Sequence, residues 1–325
     1  DQTATYRCPA DGDTCPNSVE WNFEDDLKCE ALWYVNQYDV VYNKGTCAND
    51  ESGTIIYTDP NGAKYGQKYS SSETAKGLMD SAIKTGYTFV GWNTESGQTE
   101  SNWNGENPWY RQSGLTVYAA CISNKYDVVY DKGTCESKTG ENYIDKNGAE
   151  YGKPYYARSE GMDSGTGIYA GTGYVFKGWS ETQEPDFNDD GTLENPWTGE
   201  MSWQYTELKT VYGICVPNTY SVIYKTGSCT AIDGTDGTFT DDVLYDNNYK
   251  VLGLDDEGMN IVTKAGYKFV GWKSNLALTT PDYDVGYVFE PWNKINVLTL
   301  WAVCEREPYH VEYDCDAGTS CNESD

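Results

Sequence analysis

Histidine is nearly missing from this chain: His310 is the single one in 325 residues, and methionine occurs only four times. One imidazole leaves little material for a general base or a histidine-bound metal, and no CxxC pairs mark a zinc site. Cations are scarce as well. Lys and Arg total 23 against 51 Asp and Glu, a formal charge of −28, which argues against nucleic acid and anionic membrane surfaces as partners. No apolar run reaches the roughly 18 residues of a membrane-crossing helix, so membrane insertion is not expected. Neither a glycine-rich phosphate loop nor a nucleophile elbow occurs, and nothing singles out one acid–base pair among the many carboxylates. The expectation is a non-enzyme that needs no cofactor, calcium being the one ion to consider. No secretory leader is legible at Asp1, which reads as a trimmed or mature start.

What the chain does have is repetition. Tyr-x-Val-(Val/Ile)-Tyr opens three segments at Tyr38, Tyr126 and Tyr220, and Gly-(Thr/Ser)-Cys follows, ending at Cys47, Cys135 and Cys229. Gly-Tyr-x-Phe-x-Gly-Trp occupies the middles, 86–92, 173–179 and 266–272, and apolar runs close at Cys121, Cys215 and Cys304. A fourth opening, Tyr309 to Tyr313, comes near the end; the opening tyrosines are spaced by 88, 94 and 89 residues. Tandem copies of one domain build length or valency more often than one catalytic pocket. The borders read as an abbreviated first module over 1–37, repeats over 38–122, 123–216 and 217–305, and an orphan opening strand over 306–325.

Within a repeat, Tyr, Thr and Val in short alternating runs, punctuated by 33 Gly across the chain, favour strands and turns. The fold class is mainly β, with an α+β element. In the first repeat strands are expected at Tyr38–Tyr42, Ile55–Tyr57, Ala63–Tyr69, Tyr87–Asn93 and Leu115–Cys121. Asp59-Pro-Asn-Gly62 and Asp145-Lys-Asn-Gly148 read as hairpin turns. Ser72 is a candidate N-cap for a helix over 72–84, with Ala75, Leu78, Met79, Ala82 and Ile83 at helical spacing. The corresponding stretch of the second repeat is glycine-rich and argues against a helix.

Gly86-Tyr-Thr-Phe-Val-Gly-Trp-Asn-Thr94 followed by Leu115-Thr-Val-Tyr-Ala119 resembles the Listeria–Bacteroides repeat, also called the internalin B-repeat. The resemblance extends over all three repeats. It implies small β-grasp-like domains arrayed on secreted and surface-attached bacterial proteins, hence an extracellular or cell-surface location. Two departures stand out. The family's closing strand commonly ends in Trp, where these repeats have Cys121, Cys215 and Cys304. An insertion carrying Pro108-Trp109, Pro196-Trp197 and Pro291-Trp292 separates the last two strands.

In a domain of the implied kind the opening and closing strands lie side by side, which pairs Cys47 with Cys121, Cys135 with Cys215 and Cys229 with Cys304. Each bridge would close a loop of roughly 75–80 residues, worth about 4 kcal/mol in the chain-entropy model. Regular cysteines at both ends of each repeat imply an oxidising compartment. Cys8, Cys15, Cys29, Cys315 and Cys321 are candidates for end disulfides; being five, they leave one free or paired elsewhere.

Tyr309, Val311 and Tyr313 form an opening strand without the rest of a repeat. Either a longer array was cut here, or this strand joins the abbreviated first module of another copy by strand addition and builds a head-to-tail homopolymer. Thr3–Cys8 competes for the same place. Asp186, Asn188, Asp190, Thr192 and Glu194, around Gly191, resemble a calcium loop, although Trp197 stands where the bidentate Glu belongs; an acidic surface turn is the plainer reading. Trp103, Trp109, Trp197, Trp203 and Trp292 lie in the inserted loops, where they would either cap the cores or stack on sugar rings. The functional expectation is therefore a structural surface or filament protein whose partner is itself or a neighbouring surface protein. The competing expectation is an adhesin for a host glycan or receptor.

Overall fold

The computed structural model describes residues 33–48, 54–161 and 165–310. By compactness the chain divides into two units: Asp1–Asp127 with Lys146–Tyr155 and Glu200–Lys209, and Val128–Asp145 with Tyr156–Gly199 and Thr210–Asp325.

In the first unit, β1 (Gln37–Asn43) and β2 (Ile55–Lys64) are followed by α1 (Glu73–Ala82), β3 (Tyr87–Asn93) and β4 (Leu115–Ser123). The sheet order is β2-β1-β4-β3. β1 and β4 run parallel at its centre, flanked by antiparallel β2 and β3. Alternation decides which side chains go in: Val40 and Tyr42 from β1, and Val117, Ala119 and Cys121 from β4, are buried on one face. The helix lies on that face. Ala75 and Met79, one turn apart, are its buried residues, and the Ser72 hydroxyl accepts from the Ala75 N–H at 3.3 Å.

The order recurs twice. β5 (Lys125–Asp131), β6 (Tyr143–Glu150), β7 (Tyr174–Ser180) and β8 (Lys209–Pro217) make the sheet β6-β5-β8-β7. In the second unit β9 (Thr219–Lys225), β10 (Thr238–Leu244), β11 (Tyr267–Lys273) and β12 (Leu298–Arg306) make β10-β9-β12-β11, again with a parallel central pair, β9 and β12. Among the described residues α1 is the only helix. Elsewhere its place in the chain order goes to two-residue ladders, Glu136–Ser137 with Ile168–Tyr169 and Thr230–Ala231 with Ile261–Val262, which bury Ile168 and Ile261 completely.

The Asn-Gly signals do not make hairpin turns. β2 runs through Asp59-Pro-Asn-Gly62 and β6 through Asp145-Lys-Asn-Gly148 as continuous strands. Tyr38 faces Ala63 while Val40 faces Asp59, so β2 carries two extra residues as a bulge. Asn61 and Asn147 take left-handed φ values of 53° and 52°, and each N–H donates to a carboxylate on the neighbouring strand, Asp39 or Asp127, at 2.8 Å. A side-chain acceptor across the strand satisfies the donor that a turn would otherwise use. β10 lacks Asn-Gly and pairs with β9 in unbroken register.

Candidate functional site

The three repeat motifs have distinct mechanical reasons. In Gly-Tyr-x-Phe-x-Gly-Trp, Phe89, Phe176 and Phe269 stand opposite Cys121, Cys215 and Cys304 on the closing strand. One residue later the ladder shifts, and Gly91, Gly178 and Gly271 absorb the bulge at φ 133°, 139° and 137°, a region that favours glycine. That shift turns Trp92, Trp179 and Trp272 into the core, where they meet Tyr42, Tyr130 and Tyr224 edge-on at 4.8, 4.8 and 4.7 Å.

Disulfides join Cys47 to Cys121, Cys135 to Cys215 and Cys229 to Cys304, with Cα–Cα distances of 5.8, 5.0 and 5.1 Å and sequence separations of 74, 80 and 75. Each bridge ties the turn after the opening strand to the closing strand. Cys8, Cys15, Cys29, Cys315 and Cys321 lie outside the described residues, as do Val311 and Tyr313; Tyr309 is described and 77% exposed.

A polar chain missed by sequence reasoning crosses the first and third cores, and part of it recurs in the second. In the first repeat the Ser72 N–H donates to the Tyr42 hydroxyl at 2.8 Å, the Tyr42 and Tyr69 hydroxyls are 3.0 Å apart, and Tyr69 donates to Asp59 at 2.8 Å. Since Tyr69 spends its proton on Asp59, Tyr42 donates to Tyr69. In the third repeat the Leu252 N–H, Tyr224, Tyr249 and Asp241 repeat the chain at 3.1, 2.9 and 3.0 Å. The second repeat bonds the Arg158 N–H to Tyr130 at 2.8 Å, and Arg158 Nε reaches Asp145 at 2.8 Å. Burial first, and then these hydrogen bonds, hold Tyr69 and Tyr249 well above the ordinary phenol range. The spacing Tyr42…Asp59…Tyr69 and its counterparts are the signal that was available in the sequence.

The family model of the Listeria-Bacteroides repeat domain matches residues 54–120 and 220–286, windows that both contain the Gly-Tyr-x-Phe-x-Gly-Trp run. Two stretches of the chain are thus similar to the Listeria-Bacteroides repeat domain. It also shares 24% identity over 311 residues with a protein of Evansella cellulosilytica named "Putative Gly-rich membrane protein"; the match covers 93% of this chain and 29% of that relative.

The five loop tryptophans of these repeats are not available for stacking on sugars. Trp103, Trp109, Trp197, Trp203 and Trp292 are all buried, so the glycan-binding expectation loses its residues. Nor do all three Pro-Trp pairs correspond. Trp109, Trp203 and Trp292 are the equivalent set: each meets the Tyr69, Tyr155 or Tyr249 ring edge-on at 5.4–5.7 Å, and each carbonyl accepts from Gly66, Gly152 or Asp246 at 2.7–2.9 Å. Trp197 instead matches Trp103 and Tyr283, whose N–H groups donate to the carbonyls of Trp179, Trp92 and Trp272. The common Pro-Trp dipeptide in the second repeat is thus a coincidence of spelling.

The acidic loop satisfies itself. Asp190 accepts from the Thr192 N–H and hydroxyl at 2.9 and 2.6 Å, which holds its carboxyl below the ordinary carboxylate value. The Asn188 amide donates to Thr192 Oγ1 and to the Leu193 carbonyl, and the Glu194 N–H donates to the Asp186 carbonyl. Asn188 and Thr192 thus spend their side chains inside the loop. No group of three or more His, Cys, Asp or Glu side chains is placed to hold a metal among the described residues.

Proposed function

We propose that this chain is a mechanical segment of an extracellular bacterial surface protein, an array of disulfide-closed, β-grasp-like repeats that holds another part of the protein away from the cell. The observation that carries the reading is the central strand pair. In the first and third repeats the chain enters on β1 or β9 and leaves on β4 or β12, which are parallel neighbours. Tension applied through the ends loads all hydrogen bonds between those strands together, in shear. Behind them the bridges enclose 74, 80 and 75 residues that cannot extend while the sulfur bonds hold. The surface location is supported by the family match and by the name of the Evansella relative. The cores support a structural role, because their tyrosines and carboxylates are bonded to one another.

Force spectroscopy on the oxidised and reduced chain tests this. Each repeat is expected to release roughly 250–290 Å more length after reduction, at about 3.3–3.6 Å per extended residue. Equal extension with and without reductant overturns the proposal. Head-to-tail growth through Tyr309, Val311 and Tyr313 is a separate proposal, and a monodisperse monomer unchanged by deleting 309–325 would refute it.

A further inference from the structure

Each Gly-Tyr-x-Phe-x-Gly-Trp run begins with a glycine at positive φ: 78° at Gly86, 83° at Gly173 and 76° at Gly266. The turn alone favours glycine, but two of the three meet a second constraint. A methyl group on Gly86 would overlap the Tyr151 ring, and one on Gly173 would overlap the Tyr245 ring. Both rings belong to the repeat that follows, at the residue just after its second strand. The tyrosine of the Gly-Tyr pair meets the incoming ring edge-on, Tyr87 to Tyr151 at 5.9 Å and 73°, Tyr174 to Tyr245 at 5.8 Å and 71°.

One linker residue is pinned between the two. The Asn124 N–H donates to the Gly86 carbonyl at 2.8 Å, and its own carbonyl accepts from the Tyr151 N–H at 2.9 Å. Asn218 repeats both bonds, to Gly173 at 2.8 Å and from Tyr245 at 2.9 Å. The hydroxyls are anchored as well: Tyr151 donates to Gln204 at 3.2 Å and Tyr174 to Asp246 at 2.6 Å.

We infer that this Gly-Tyr corner is a docking site whose partner is another repeat of the same kind, one that ends its second strand in tyrosine, and that the docked pair stabilise each other. The face of a phenol lies flat on a glycine that cannot be replaced without displacing it. Ring burial and the two linker hydrogen bonds exist only when both repeats are folded, so each repeat's stability includes a share from its neighbour. The third corner has the same backbone, with the Glu307 N–H donating to the Gly266 carbonyl at 2.9 Å. What a methyl group on Gly266 would meet first is the hydroxyl end of Tyr309, a flexible and exposed side chain that can move aside. Gly266 is therefore an internal control with the same backbone demand and no ring face above it.

Calorimetry and hydrogen exchange on the full chain test the inference. Gly86→Ala and Gly173→Ala are expected to lower the unfolding midpoint more than Gly266→Ala. That excess should largely vanish when Tyr151→Ala or Tyr245→Ala is already present, because the cost at Gly86 and Gly173 then reduces to backbone strain. Tyr151→Ala alone should raise exchange in Tyr87–Asn93 of the preceding repeat by at least about threefold, and Tyr245→Ala should do the same in Tyr174–Ser180. The exchange measurements decide the matter even if an alanine at 86 or 173 prevents folding. Equal costs at the three glycines, an excess that persists without the tyrosines, or unchanged exchange in the preceding repeat overturns the inference.

Discussion

The hydroxyls of Tyr42 and Tyr69 stand 3.0 Å apart inside the first repeat, and the polar chain from Ser72 to Asp59 runs through their contact. Tyr42 is fully buried and has no other acceptor for its proton in the chain from Ser72 to Asp59. Tyr69→Phe should therefore destabilise the repeat by about 1–3 kcal/mol, the cost of one buried donor left unpaired. Tyr249→Phe should do the same in the third repeat, where Tyr224 is the stranded donor. Chemical denaturation of the single and double variants checks both values and their additivity.

Alkaline pH acts on the same residues. Burial is the first cause that raises Tyr42, Tyr69, Tyr224 and Tyr249 above the ordinary phenol value of 10.0. The folded state thus keeps protons that the unfolded chain gives up. Stability is full below about pH 10 and falls as pH rises past it. Thermal melts from pH 7 to 11 should show a midpoint that is flat and then drops. In Tyr69→Phe/Tyr249→Phe the drop should be shallower.

Removing a bridge should matter as much as losing a large core side chain. With 74 residues enclosed, Cys47→Ser/Cys121→Ser is expected to cost about 4 kcal/mol, since the loop-closure entropy no longer restrains the unfolded chain. The reporter is the calorimetric transition of the first repeat, compared with the same chain carrying the intact bridge.

Two buried indoles should respond differently to substitution. The Trp272 indole N–H donates to the Leu252 carbonyl at 2.7 Å, whereas that of Trp203 has no partner among the described residues. Trp272→Phe removes a hydrogen bond as well as volume, and Trp203→Phe removes volume alone. Denaturation midpoints should fall further for Trp272→Phe. Trp203→Ala should cost about 3–5 kcal/mol.

Much of this architecture could be read from the letters, for identifiable reasons. The Ser72 cap and the Ala75/Met79 spacing specify α1 locally, and the glycines of the second repeat deny it the same helix. Sequence spacing with the family resemblance was enough to pair the six repeat cysteines. The Asn-Gly pairs misled because Asn61 and Asn147 supply a left-handed φ that a bulge needs as much as a turn does. What decided between them was Asp39 and Asp127 on the next strand, a long-range acceptor that no local pattern reveals. The tryptophans misled for a related reason: Pro196-Trp197 looks like Pro108-Trp109, but the backbone clasp that fixes equivalence, Gly152 to Trp203, is a contact between distant parts of the chain. The tyrosine chains left only a recurrent Tyr…Asp…Tyr spacing in the sequence, because polar tyrosines read as strand surface until the fold turns them inward.

The covalent loops have a further consequence for resistance to proteolysis. A protease that cuts the first repeat once, anywhere between Cys47 and Cys121, severs the backbone without releasing either piece, because the sulfur bond still spans the wound. The exposed segment around Ser96–Gln98 can thus be nicked at no loss of continuity. Such a molecule would migrate at full size on a non-reducing gel and fall apart only when thiol is added.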